Sequence, residues 1–588
     1  VAALADLALR RPTVVLVATL VVLAAAVIVA AGAPGHLGVG AATLDGSSGE
    51  SSLRPDFVVA TTGKSSVRSG PYRVALRVVS AQLSSDPGVV SVRRGPVSGG
   101  GRSTSLIVKL ARGDDAADQR SVERIEAEID PGPLRVAYGG QVPALLEARH
   151  DLSHDLWKLE LVAVAVVIVA LIAVLGPLLA AAPVVCAAIA IAGALAGLRA
   201  VGAVADLSLL GIAPSAVVGL AMGVEVPCLM MARFSDEAAS VPHAEAVRRS
   251  VVTTAGAVPA MVAAVVLAAA GLLATGLDQA PSILLASLLA VCLAIASALV
   301  LVPALLALAG PDSRRRLGSG SGEPRLGSVP RRWAGFLANS RPRAALAGAV
   351  AVALMVAAAL PALGGHSRTF SAAELPSGSE AAAATALVTE QPRGGARGDR
   401  GKTKPQAGTV ARADESLFEK LPLAAAVSVG ALALLFGVAF SVRAIGAAAI
   451  ALLPAAAACG LCVLVIQDGH LAAAFGMRRQ GALETGAVAS LLAAVASICA
   501  ARAVIALRAT RGESSLGLGP MRAAEAAAAF TVPAAILATL GAAAATGALA
   551  GADLYPAREF GLAVAAGLII DLVLVRVPLI AALSRWGG

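Results

Sequence analysis

The sequence predicts a polytopic all-α membrane protein of twelve transmembrane helices in two parallel repeats. Each repeat is one helix followed by five, with an α+β domain outside the membrane after the first helix and a shortened outside segment after the seventh. Three observations predict this: the composition, the spacing of apolar runs, and residues that recur at fixed displacements. Of 588 residues, 57% are hydrophobic and 14% charged, and the mean hydropathy is +0.80. Soluble domains carry about 25% charged residues, so that class is excluded.

A bilayer core takes about 20 apolar residues in helical form. Runs that meet or approach this length are 13–31, 161–175, 178–198, 209–232, 255–277, 283–309, 344–363, 423–440, 445–466, 487–507, 527–548 and 562–583. They divide the chain into a first span (1–33), an outside domain (34–157), five spans (158–310) and a basic linker (311–342). A seventh span (343–364), a second outside segment (365–419) and five more spans (420–588) complete the chain.

Orientation follows from the loops. Arg10, Arg11, Arg233, Arg248, Arg249, the linker arginines, Arg508, Arg511 and Arg522 all fall on one side of this arrangement. The positive-inside rule makes that side the cytoplasm, with both termini there and both polar segments outside. The net charge of +9 is accounted for in this way and does not call for nucleic acid. The opening run is expected to be a retained span, since no small-residue cleavage site follows it.

Repetition supports the duplication. Arg233 recurs as Arg508 (508 − 233 = 275), and Val302-Pro303 recurs as Val577-Pro578 at the same displacement. Arg11-Pro12 recurs as Arg341-Pro342, 330 residues on, so the second half is about 55 residues shorter, and its outside segment is the place for the loss. In parallel repeats the functional site lies at the repeat interface.

Between the first two spans the pattern reads strand 57–60, helix 72–83, strands 89–92 and 105–110, helix 114–129 and strand 134–138. This β-α-β-β-α-β order is the split βαβ, or ferredoxin-like, motif. The second outside segment offers one helix, 379–389, and then a Gly-, Arg- and Lys-rich stretch, 392–406, expected to lack fixed structure.

Glu225 is the leading candidate for function. It lies within the apolar run 217–232, and an acid at membrane depth defaults to an ion or proton pathway. Asp571 is a second such acid, about 16 Å along a helix from Phe560. It is either a proton site or a packing acid neutralised by Arg576. The cysteines, including the Cys459–Cys462 pair, sit in apolar spans and read as packing. His150, Asp151, His154 and Asp155 read as a solvated helix face more readily than as metal ligands. Neither a phosphate-binding loop nor a catalytic triad is evident, so no enzyme, metal or cofactor is expected, and any energy source is an ion gradient.

The whole plan resembles the MmpL branch of the resistance-nodulation-division (RND) superfamily. The family's fourth-span signature, G-x-D-Y followed by a basic residue and an acidic cluster, is matched by Gly223, Glu225, Arg233, Asp236 and Glu237. Its Gln-Asp-Gly turn is matched by Gln467, Asp468 and Gly469, and its last span by Phe560, Gly561, Leu562, Asp571, Arg576 and Pro578. The resemblance implies export of lipid or other hydrophobic molecules from a bacterial cytoplasmic membrane, driven by protons passing Asp-Tyr pairs on spans four and ten. It implies protons and membrane lipids as partners, with a homo-oligomer or an accessory envelope protein as further candidates.

The chain departs from that pattern. Val226 stands where the resemblance places the first Tyr, and the 275 displacement puts Ala500 and Ala501 where it places the second Asp and Tyr. No Asp or Glu occurs in 485–512. Arg502 has appeared two residues beyond the vacated acid. It is expected either to pair with Glu225 across the interface or to extend toward the cytoplasm. The absent second pair leaves open a transport-incompetent relative that acts as an envelope assembly or scaffold protein.

Overall fold

The computed structural model describes residues 2–31, 57–97, 101–111, 115–202, 211–310, 341–370, 378–389, 417–470, 472–475, 479–515, 520–552 and 554–579, with a few single positions between them. The linker 311–340 and the Gly- and Arg-rich stretch 392–406 lie outside the described residues, and so do the side chains of His150, Asp151, His154 and Asp155.

The chain is mostly helical. In the first half, a short helix α1 (Ala2–Arg10) leads into α2 (Pro12–Ala31), and the bundle continues with α5 (Gln141–Leu175), α6 (Pro177–Gly202), α7 (Ile212–Glu237), α8 (His243–Ala270) and α9 (Ala280–Ala309). The second half contributes α10 (Arg341–Ala359), α12 (Leu417–Ala439), α13 (Ile445–Cys462), α14 (Thr485–Ser515), α15 (Pro520–Ala548) and α16 (Tyr555–Ile570). Among the described residues, ten helices are long and apolar enough to cross a membrane, so this is a multi-pass membrane protein. The apolar run 161–175 forms the end of α5, and the run beginning at 562 is shared by α16 and a π-wound segment, Asp571–Leu579.

Packing repeats between the halves. Helix α7 rests on α15, and its counterpart α14 rests on α8; α5 rests on α15, and its counterpart α12 rests on α8. The central helices α7 and α14 also touch each other. Of their apolar stretches, 83% and 89% are buried, against 17% for α2, which places α7 and α14 at the centre. Ser428 of α12 ties the halves by donating to the Ala268 carbonyl at 2.8 Å and accepting from Gly271 N–H at 3.1 Å. Such interhelical polar contacts stand in for the hydrophobic drive that lipid removes.

Outside the bundle, β1 (Phe57–Thr62), α3 (Gly70–Ser85), β2 (Val89–Val97), β3 (Ser103–Leu110), α4 (Asp115–Glu128) and β4 (Arg135–Gly139) follow in sequence. The sheet order is β2-β3-β1-β4, and every neighbouring pair is antiparallel. Alternate residues Phe57 and Val59 of β1 and Leu106, Val108 and Leu110 of β3 share the face packed against Tyr72, Leu76, Val79 and Leu83 of α3. Strand β2 continues five residues past the expected 89–92, through Arg93, Arg94 and Pro96, because the ladder with β3 carries it beyond its apolar part with register shifts.

The second outside segment packs onto this domain. Helix α11 (Glu380–Thr389) lies against β4, with Thr385 Oγ1 accepting from Gly140 N–H at 2.9 Å. Glu147 Oε2 accepts from Ser379 Oγ at 2.9 Å and Ala381 N–H at 3.0 Å, which places a carboxylate on the positive end of α11. A short parallel pair, β5 (Ser367–Arg368) with β6 (Leu483–Glu484), joins the end of α10 to the start of α14.

Close approach of α6 and α7 depends on Gly219 and Gly223. A Cβ at Gly223 would overlap the backbone of Ala187, and one at Gly219 would press on Ile191. Gly223→Val is therefore expected to cost at least the ~1–3 kcal/mol of an overpacked core, lowering the melting temperature of the detergent-purified protein. Gly430→Val, where nothing lies within 4 Å of an added Cβ, should leave it unchanged. Equal melting temperatures for the two variants would refute the close-packing role.

Candidate functional site

Glu225, Arg502, Asp571 and Arg576 converge on one site at the centre of the bundle. Arg502 on α14 donates from Nε to Glu225 Oε2 at 2.6 Å and from Nη1 to Asp571 Oδ2 at 2.8 Å. Its Nη2 reaches the Ala535 carbonyl of α15 at 3.4 Å. Arg576 donates from Nε and Nη2 to the two oxygens of Asp571, each at 3.2 Å, and from Nη1 to the Arg502 carbonyl at 3.0 Å. All four side chains are at most 3% exposed. Arg502 therefore points inward, and the two acids considered separately in the sequence belong to one charge-balanced tetrad.

Local winding explains part of this. Five residues separate Asp571 from Arg576, and in an α-helix that spacing turns a side chain about 140° away. The segment from Asp571 to Leu579 is π-wound, which brings residues five apart onto one face. On α7, Pro227 lacks the N–H that would bond the Gly223 carbonyl, loosening the helix beside Glu225.

Two carboxylates and two guanidiniums sum to zero charge. Burying an ion is expensive, and it is tolerated here because each charge has a hydrogen-bonded opposite. Glu225 and Asp571 are held unequally. Asp571 accepts from both guanidiniums, whereas Glu225 accepts from Arg502 Nε alone among the described residues.

The other motif residues occupy structural positions. Gly223 allows the α6–α7 approach. Arg233 binds Glu513 Oε1 at 3.1 Å and stacks over Phe530 at 4.8 Å, joining the C-terminal ends of α7 and α14 to the N-terminal part of α15. Asp468 and Gly469 form the turn after α13, with Gly469 in the left-handed region at φ 83°. Next to them Gln467 makes the side-chain contacts, donating to the Gly364 carbonyl at 2.9 Å and accepting from His366 N–H at 2.8 Å. Phe560 is buried, and a Cβ at Gly561 would overlap the Thr546 carbonyl. None of these residues hydrogen-bonds to the tetrad's carboxylates, whose partners are Arg502 and Arg576.

A polar cluster at the N-terminal ends of α14 and α16 was not foreseen. Glu484 accepts from Gly486 N–H at 3.0 Å and from Ala487 N–H, capping α14. Its own N–H donates to Glu559 Oε2 at 2.9 Å, and Arg368 Nη2 lies 3.5 Å from Glu559 Oε1. Glu559 directly precedes the Phe560 motif, ahead of the apolar run that begins at Leu562, so it reads in sequence as an ordinary interfacial charge. Its partners lie 75 and 191 residues away (559 − 484 and 559 − 368), and no local pattern signals them.

A family model described as the MMPL family matches residues 57–364, which is 308 of the 588 residues. A putative membrane protein of Streptomyces coelicolor is 29% identical over 342 residues, covering 55% of this chain. The match takes up 47% of that protein, so the chain spans about half the length of this curated relative. Among solved structures, SecDF of Thermus thermophilus, a translocon-associated membrane protein, is similar with a TM-score of 0.52 at 18% identity. That likeness covers 82% of this chain and 69% of SecDF. SecDF in a super-membrane-facing form is similar with a TM-score of 0.51 at 13% identity, covering 97% of this chain and 91% of that one. At these identities the likeness concerns the fold.

Removing Arg502 would strand Glu225 in a buried interface. Arg502→Ala is expected to cost ~3–5 kcal/mol, the usual penalty for breaking a buried pair, and to reduce both membrane abundance and melting temperature. Glu225→Gln combined with Arg502→Met leaves Asp571 balanced by Arg576 and should recover most of the loss in a double-mutant cycle. An Arg502→Ala protein as abundant and stable as wild type would contradict the pairing.

Proposed function

The chain belongs to the MMPL family, and from that premise we propose that it is an RND-type transporter of a bacterial cytoplasmic membrane, exporting a lipid or other hydrophobic molecule as protons return. The observation that carries this is the unequal tetrad. A proton on Glu225 removes one negative charge and leaves two guanidiniums around Asp571 alone. A net positive charge in a buried interface is unfavourable, and it is relieved when α7 and α14 move apart or admit water. Proton uptake is thereby converted into relative motion of the two halves. Asp571 is the charge that holds Arg502 and Arg576 while Glu225 cycles.

Twelve spans then cross the membrane, the ends of α5 and of the chain adding to the ten above, and both termini are cytoplasmic. The four-stranded outside unit is a ferredoxin-like domain over which cargo leaves, and the second outside segment is its shortened counterpart. The protein carries out no covalent chemistry in this reading.

A second reading is favoured by Val226, Ala500 and Ala501 standing where the resemblance places relay residues. The tetrad is then a static lock, and the protein serves envelope assembly as a scaffold.

Proteoliposomes with an imposed pH gradient separate the two. The transporter is expected to pass protons when a hydrophobic cargo is present, and Glu225→Gln to abolish that flux. No flux in either protein would overturn transport and leave the lock, and equal flux in both would remove Glu225 from the coupling path.

A further inference from the structure

We propose that Glu559 is a second proton-binding site, separate from the tetrad and placed at the outer end of the helices that carry Arg502 and Asp571. The side chain is 1% exposed. One oxygen, Oε2, accepts the Glu484 N–H at 2.9 Å, while Oε1 has no hydrogen bond and faces Arg368 Nη2 at 3.5 Å. Glu484, also buried, uses both oxygens on the first turn of α14, where the helix dipole favours its ionised form. Two buried carboxylates thus share one guanidinium, which is further committed to Gln480 Oε1 at 3.0 Å. Glu559 has the weaker hold, and a proton on its Oε1 removes the surplus negative charge.

Among the described residues, no cation other than Arg368 forms a salt bridge with the Glu559 carboxylate. Cys462 of α13 meets only the Glu559 backbone carbonyl, at 3.9 Å, and Arg558 on the same helix turns to the Ala552 carbonyl. Burial, opposed by Arg368 and by the Glu484 N–H and reinforced by the Glu484 charge, pushes the Glu559 carboxyl up to about 7. Burial raises Glu484 as well, against its two cap hydrogen bonds. The proton on Glu559 therefore comes and goes across the neutral range.

The location gives that proton a consequence. Arg368 belongs to β5 and Glu484 to β6, the strand pair that fastens the chain after α10 to the top of α14. Glu559 lies twelve residues before Asp571 along one helical run, about 18 Å, and Glu484 eighteen before Arg502, about 27 Å. Neutralising Glu559 relieves the surplus negative charge beside that clasp, which sits above both tetrad helices. The first half has no such acid, since the 275 displacement places Leu284 opposite Glu559. The site does not depend on transport, because a scaffold with this cluster would bind the same proton.

Because the folded value is raised, the stabilisation from neutral Glu559 is complete below about 4.5 and is lost as pH rises through about 7. The test is an infrared pH titration, with thermal unfolding, of the protein in lipid nanodiscs. One carboxylic-acid C=O band should titrate in the neutral range, persist in Glu225→Gln and vanish in Glu559→Gln, whose amide oxygen still accepts the Glu484 N–H. The melting temperature should fall between pH about 5 and about 8 in wild type and lose that slope in Glu559→Gln. Should that variant not fold, Glu484→Gln is expected to shift the band's midpoint down and Arg368→Met to shift it up. A band unchanged in Glu559→Gln, no carboxyl titrating near neutrality, or the two flanking variants failing to shift it in opposite directions would each overturn the site.

Discussion

A guanidinium withdrawn from water must be met by acceptors on every side it presents, and Arg502 is met by Glu225, Asp571 and the Ala535 carbonyl. This requirement organises the centre of the molecule. Glu225 comes from the first half and Arg502, Asp571 and Arg576 from the second, so the contact between halves at α7 and α14 is electrostatic where it is driest. The glycines of α7 bring that helix close to α6, and the π-wound turn after α16 brings Arg576 back onto Asp571. Each feature is understandable as a means of keeping two acids and two arginines balanced.

The asymmetry of the site follows from the same constraint. With an acid inside the apolar stretch of only one of the two central helices, the site has no mirror image in the other half, and Arg502 joins Glu225 to the acid on the last helix. The second half also carries the outer cluster of Arg368, Glu484 and Glu559, while the first half carries the larger outside domain. Helix α11 crosses between them, its N-terminal end held by Glu147 of the first half. Two buried charged sites thus share α14 and the α16 run, one at the centre and one at the outer end.

Much of this was legible in the sequence, for physical reasons. Spans announce themselves because lipid demands long apolar helices, and a duplicated chain repeats its Arg and Pro positions. Glu225, Arg502, Asp571 and Arg576 stood out because a charge in such a run needs a reason. Their union into one network was not legible, since the fit of Asp571 to Arg576 depends on π winding and that of Arg502 to both acids on helix packing. Glu559 was hidden because it sits at a span end, where charges are common, and because β5 and β6 are two residues each, too short to leave a period.

Arg502 bridges both acids, and in the proposed cycle its bond to Glu225 is the one that yields. An electron cryo-microscopy map of the protein in lipid nanodiscs, at neutral and at acidic pH, tests it most directly. Arg502 density is expected to join Glu225 and Asp571 at neutral pH, and Asp571 alone once Glu225 is protonated. Arg502 extended toward the Ser515 end of α14, with Glu225 standing apart at neutral pH, would contradict it.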